Sequence, residues 1–190
     1  MKFYTLIILL SLASLTIQAR EVAGINISET AAFTDQSTKL KLNGAGIRTK
    51  FIFDIYIGSL YLETRSNNTK DILKLHGEKR ISMHFLYDEV SKEKLVNGWN
   101  EGFENNLSEK EFKVFQPQII KFNTLFETVK SGDVIDLHFI PTTGTHVIIN
   151  GNNKGLIESD PFFNALLKIW LGDKPADSDL KVAMLGLTKD

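Results

Sequence analysis

The sequence contains no cysteine in its 190 residues. That absence excludes a disulfide framework, thiolate zinc sites, iron–sulfur clusters and a cysteine nucleophile. Proline is scarce, at four residues, and no Pro-rich, Ser-rich or single-charge stretch marks a linker. Neither sign of charge dominates. Lys and Arg total 22 against 23 Asp and Glu, so the basic face of a nucleic-acid binder is missing. P-loop, G-x-S-x-G and HExxH patterns are absent. Gly44-Ala45-Gly46 lacks the third glycine of a dinucleotide fingerprint, and these glycines read as turn and close-approach positions. What is present is globular: 43% hydrophobic and 24% charged residues, with 13 phenylalanines, in a length that suits one domain.

Residues 1–19, MKFYTLIILLSLASLTIQA, have the layout of a secretory signal peptide. Lys2 precedes an apolar run from Phe3 to Ile17, and small Ala19 stands at the cleavage position. The alternative is an uncleaved anchor, but a span needs roughly 20 apolar residues and this run is shorter. The expectation is an exported protein, periplasmic or secreted, with a mature domain over 20–190 and no stable membrane span after cleavage.

Along the mature chain, TKLKLN (38–43) alternates as a half-buried strand ending in an Asn43-Gly44 turn. Residues 44–63 read as one long bent strand. The apolar parity flips after Gly58, which suggests a bulge at Gly58-Ser59. RISMHFLY (80–87) is another strand. Leu95, Trp99, Phe103 and Leu107 recur every four residues, predicting a helix over 91–107 capped by Ser91. Residues 109–130 continue helically, with Pro117 as a kink or fresh start. Val134–Ile140 and His146–Asn150 form a hairpin, and Gly151–Gly155 makes a second turn. Asp160 then caps the apolar helix DPFFNALLKIWLG, and a short helix over Ser178–Leu185 ends at Gly186. This order of strands, helices, a hairpin set and helices predicts an α+β domain, its sheet largely antiparallel with helices on one face.

Several side chains are candidates for chemistry, each with a plainer reading beside it. Arg48 sits between a glycine pair and an apolar strand, where a guanidinium can hold an oxyanion by its fixed fork; the plain reading is an exposed strand-edge arginine. Tyr56 offers a hydroxyl to a ligand or is simply half-buried in the sheet. Trp99 and Phe103 line a pocket or belong to the core. His138 and His146 flank one turn and would face each other across it, but no spacing supports a metal site and none is expected.

GAGIRTKFIFDIYIGSLYLE, GDVIDLHFIPTTGTHVIINGNNKGLI and the tail PFFNALLKIWLGDKPADSDLKVAMLG together resemble the chalcone isomerase-like family, most closely its bacterial exported branch. The resemblance spans about residues 22–186, and the tail is its most specific part. It implies an open-faced β-sandwich, a large antiparallel sheet layered with helices. In the plant enzymes an arginine holds the substrate phenolate and stabilises the enolate, while hydroxyl residues polarise the ketone, without a cofactor. The family arginine falls on Arg48, the asparagine on Asn97 and the tyrosine on Tyr87. The threonine falls on Ile55 and the last hydroxyl position near Phe163, so two polar positions are apolar here.

What survives is one cation and an apolar cleft, which resembles the non-catalytic fatty-acid-binding branch. The leading expectation is therefore an exported binding protein for a small apolar or carboxylate ligand. Arg48 would be the anchor, with Tyr56, Tyr87, Asn97, Trp99 and Phe103 around the ligand. One alternative is a cofactor-free isomerase or intramolecular lyase with Arg48 as the catalytic oxyanion stabiliser. The other is a structural or partner-binding envelope protein, for which a filled cleft without a cavity near Arg48 is expected. Oligomeric state is not legible in the sequence.

Overall fold

The computed structural model describes residues 19–34 and 37–187. The leader expected over 1–19 lies outside them except at Ala19. In chain order the elements are β1 (Ala19–Val22), β2 (Ile25–Ser28), β3 (Thr30–Ala31), β4 (Leu40–Lys50), β5 (Phe53–Leu62), α1 (Thr69–Lys74) and β6 (Lys79–Phe85). They continue as β7 (Glu89–Val90), α2 (Lys92–Asn106), α3 (Glu109–Thr124), β8 (Val129–Lys130), β9 (Val134–Ile140), β10 (Gly144–Ile149), β11 (Asn152–Ile157), α4 (Asp160–Leu171) and α5 (Ser178–Met184). The main sheet has seven strands in the order β11-β10-β9-β6-β5-β4-β3, and every neighbouring pair is antiparallel.

Burial explains the layering. On one face Leu60, Leu62, Ile81, Met83, Phe85, Ile135 and Leu137 meet the apolar stripes of α2, α3 and α4. The α4 helix is buried at eight of its twelve positions, from Phe162 to Leu171, as a helix apolar on two sides must be. It crosses α2 closely at Gly102, where a Cβ would press on the side chain of Ile169. On the other face of the sheet, Leu40, Leu42, Ala45, Ile57 and Tyr61 form a smaller core with Ile27 and half-buried Ile25 of the β1–β2 hairpin. A large antiparallel sheet with helices layered on one face is thus the architecture expected from the order of elements.

Three local readings are corrected. Asn43-Gly44 is not a turn; β4 runs through it with a register shift between Leu42 and Gly44. Asn43 is buried there, and its amide bonds to the Ser66 backbone and to the Met184 carbonyl, fixing the C-terminal helix. Gly44 is needed because a Cβ would collide with backbone atoms at Ala183, Met184 and Gly186, so its close-approach role holds. The real turn is at Phe51-Ile52, where Lys50 pairs with Phe53.

The second correction is the bulge. Gly58 and Ser59 pair regularly with both neighbouring strands, and the register shift falls instead beside Arg48, where Ile55 is the extra residue. The carbonyl of Ile55 accepts from the amides of both Leu86 and Tyr87. The apparent flip at Gly58 has another cause. Both sheet faces are buried, so Ile57 belongs to one core and Leu60 to the other.

Third, the helix expected to reach residue 130 ends at Thr124, and Val129-Lys130 pairs with Glu89-Val90. Ser108 starts that helix with a reciprocal capping box to Glu111, and Pro117 sits within it. Smaller shifts follow the same pattern. Ser159 stands at the N-cap position of α4 and Asp160 is already helical. Residues 152–155 belong to β11, leaving Asn150-Gly151 as the turn.

Candidate functional site

The β4–β5 hairpin, the 87–90 connection and one face of α2 enclose an open cleft of about 490 Å³. Phe51, Phe53, Ile55 and Val90 give it apolar walls, and Tyr87 and Asn97 add polar ends. Its charges are Arg48, Lys50 and Lys94 against Glu101, so the cleft is cationic in a chain of net charge −1. A smaller depression of about 180 Å³, lined by Arg48, Gly98, Gly102, Asn105, Lys174 and Ala176 among others, shares the Arg48 wall.

Arg48 is held by its own strand pair. It lies directly opposite Tyr56, and its guanidinium carbon stands 5.6 Å from the phenol ring centroid. Its Nε is buried and finds no hydrogen-bond partner. Among the described residues no carboxylate forms an ion pair with it, although Glu101 lines the same cleft. A half-buried cation with unspent donors is arranged to receive an anion from outside the chain.

The expected site residues divide into two groups. Arg48, Tyr87 and Asn97 line the cleft, with Ile55 facing it where the family pattern has a threonine. Tyr56, Trp99 and Phe103 do not line it. Tyr56 is 3% exposed, and its hydroxyl accepts a hydrogen bond from Trp170 Nε1 at 2.8 Å. Burial pushes the Tyr56 phenol above its ordinary value, and the nearby Arg48 offsets part of that rise. Trp99 packs on Trp170, Phe122 and Phe126, and Phe103 on Phe122 and Phe162. These are core positions because they carry the apolar stripe of α2. The cleft uses a neighbouring stripe of the same helix: Lys94, Asn97, Gly98 and Glu101, at i, i+3, i+4 and i+7. Reading that polar stripe as a wall would have found Lys94 and Glu101 from the sequence.

Gly98 has no packing reason to be glycine. It lies inside α2, and a Cβ there would meet nothing within 4 Å. A mid-helix glycine costs about 1 kcal/mol relative to alanine. At Gly98 that cost coincides with the cleft wall, where a missing side chain widens the opening.

The histidine pair is structural. His138 and His146 are direct partners, as the hairpin predicts, and Phe33 packs against both rings at a tilt. His138 Nδ1 accepts from Arg80 Nε at 2.8 Å, so its Nε2 carries the proton and donates to Glu78 at 3.1 Å. Burial, then Arg80, pull its pKa down to about 4.

A layered antiparallel sheet with a cationic cleft between its β4–β5 hairpin and a covering helix defines the class. The chain belongs to the chalcone isomerase-like family, whose model matches residues 19–186. Comparison with curated proteins gives no match. Among solved structures, the crystal structure of a fatty-acid binding protein from Arabidopsis thaliana superposes with a TM-score of 0.70 at 18% identity. The match covers 85% of this chain and 92% of the plant one, and it shows a shared fold.

Proposed function

We propose that this protein is an exported, non-catalytic carrier of a small apolar anion such as a fatty acid, with Arg48 as the carboxylate anchor. The observation that carries the reading is Arg48 itself: a half-buried guanidinium, without an ionic partner among the described residues, on the wall of an apolar-sided cleft. The volume of about 490 Å³ falls within the roughly 300–1,000 Å³ of small-ligand sites. Tyr87 and Asn97 would orient the head group, and Phe51, Phe53 and Ile55 would cover the chain. The plant neighbour, described as a fatty-acid binding protein, supports the ligand class by analogy of fold.

Native mass spectrometry of gently purified protein tests the reading. The expected result is a co-purifying acyl species that is lost in Arg48→Ala. Protein that is always empty, together with an Arg48→Ala variant that takes up acyl probes as well as the parent does, overturns it. The intact mass from the same experiment reads export: a chain beginning at Arg20 is expected.

A second reading keeps one specific support. Arg48, Tyr87 and Asn97 share a cleft, which is also what a cofactor-free isomerase needs for an enolate. Ile55 in the wall leaves one ketone-polarising hydroxyl fewer, which favours binding over turnover. Conversion of a chalcone panel, abolished by Arg48→Ala, would reverse that preference.

A further inference from the structure

The tip of the β4–β5 hairpin is built against the usual rules for a soluble turn. Lys50 pairs with Phe53, so Phe51 and Ile52 are the two turn residues. Phe51 is 89% exposed, Ile52 86% and Phe53 48%. The other exposed large apolar residues among those described, Val114, Ile120, Val182 and Leu187, do not form a run of consecutive residues. Phe51 has φ +60°, the left-handed region, whereas Ile52 is not in it. A two-residue hairpin turn with positive φ at its first position takes glycine there by preference. A bulky aromatic in that conformation is an outlier that folding alone does not reward, and such outliers gather at functional places.

The surroundings say what the tip fits. Phe51 and Phe53 also line the Arg48 cleft, and Phe53 meets Tyr87 edge-on at 5.4 Å. The cations there are Arg48, Lys50 and Lys94 against one acid, Glu101. Two further acids stand near the hairpin but outside the cleft lining: Asp54 accepts a hydrogen bond from the Thr49 hydroxyl at 2.9 Å, and Asp177 Oδ2 accepts from the Thr49 amide at 3.0 Å. Three consecutive exposed apolar side chains beside a cleft whose lining is net cationic are complementary to a bilayer with anionic head groups, which offers both an apolar interior and negative surface charge.

We infer that the Phe51-Ile52-Phe53 tip docks on the surface of an anionic phospholipid bilayer and places the mouth of the Arg48 cleft at the lipid. The docking stands on the tip. Its use, passing an acyl ligand between membrane and cleft, rests on the binding function proposed above. No helix among the described residues is long and apolar enough to cross a membrane; the contact inferred for the tip is a peripheral one.

Because the chain has no cysteine, Ile52→Cys accepts a single environment-sensitive fluorophore. Vesicles of phosphatidylglycerol and phosphatidylcholine should shift its emission to the blue, with a weaker shift on phosphatidylcholine alone and in high salt. A label at Val114→Cys, an exposed apolar position on α3 outside the tip, should not respond. Ile52→Asp should lower partitioning onto the anionic vesicles at least about tenfold. Phe51→Gly should weaken it too while melting no lower than the parent, which separates docking from folding. Acyl-probe affinity without vesicles should be unchanged in Ile52→Asp, whose side chain is outside the cleft lining. Equal response of both labels, parent-like partitioning of Ile52→Asp, or self-association abolished by Ile52→Asp in the absence of lipid would overturn the docking. Loss of acyl binding by the parent in solution, with docking intact, would instead overturn the carrier function.

Discussion

Arg48 and Tyr56 are direct partners across the β4–β5 pair, and the guanidinium carbon lies 5.6 Å from the phenol ring centroid. The tyrosine is a platform rather than a ligand contact, because its hydroxyl is used by Trp170 Nε1 in the core. Tyr56→Phe keeps the ring and leaves that indole N–H unpaired. It should lower stability in urea by about 1–3 kcal/mol while changing acyl affinity far less than Arg48→Ala does. An affinity loss as large as that of Arg48→Ala would place the hydroxyl in the site.

Gly98 and Gly102 lie one turn apart on α2 and should respond in opposite ways. Gly98→Ala meets open space, so thermal melting should show a gain of about 1 kcal/mol from helix propensity. Its methyl group narrows the cleft, so acyl binding should weaken severalfold. Gly102→Ala presses on Ile169 and should lose stability.

The C-terminal helix depends on Gly44. A Cβ there runs into the carbonyl of Ala183 and the backbone at Gly186, neither of which is the end of a flexible side chain. Gly44→Ala should cost about 2 kcal/mol or more, read as a lower denaturation midpoint. Proteolysis should then cut first within α5.

Acid should reveal His138. Burial and Arg80 hold its pKa at about 4, below the ordinary 6.5, so the folded protein refuses a proton that the unfolded chain accepts. Its contribution is complete above pH 6.5 and is lost as pH falls from there through about 4, on the order of 3 kcal/mol in all. His146, also held low, mainly by burial, adds a smaller slope of the same sign. Denaturation midpoints between pH 6.5 and 5 should therefore fall in the parent and flatten in His138→Gln. An equal slope in both would remove His138 from the account.

The fold was largely legible because its signals are local. The four-residue recurrence from Leu95 to Leu107 placed α2 to within a residue, and the Ser91 cap fixed its start. Parity gave β9 its observed ends. The misreadings arose where an apolar residue does not report burial. Phe51 and Phe53 have the parity of a buried strand, yet Phe51 is in an exposed turn and Phe53 opens β5 half-exposed, so the pattern hides the true turn and points to Asn43-Gly44 and Gly58 instead. The short helix α1 and the β1–β2 hairpin are each six residues or fewer per element, too short for periodicity to show.

The site was legible in part, for a related reason. Arg48 stands out by its setting between a glycine pair and an apolar strand, and the resemblance adds Asn97 and Tyr87; all three line the cleft. As aromatics Trp99 and Phe103 suit a pocket, yet they share the stripe that α2 buries. Lys94, Gly98 and Glu101 carry no motif; their helical spacing with Asn97 is the one signal in the sequence that groups them, and the hairpin beside α2 makes that stripe a wall.

The central claim is that Arg48 holds a carboxylate, and a matched pair of ligands tests it most directly. Affinities of a long-chain fatty acid and the alcohol of equal length should be measured on the parent and on Arg48→Ala. Hydrogen bonds to a charged group contribute about 1.5–3 kcal/mol, so the parent should prefer the acid by roughly tenfold to a hundredfold, and Arg48→Ala should bind both alike. A parent that does not distinguish acid from alcohol, or a preference that survives in Arg48→Ala, would contradict the account.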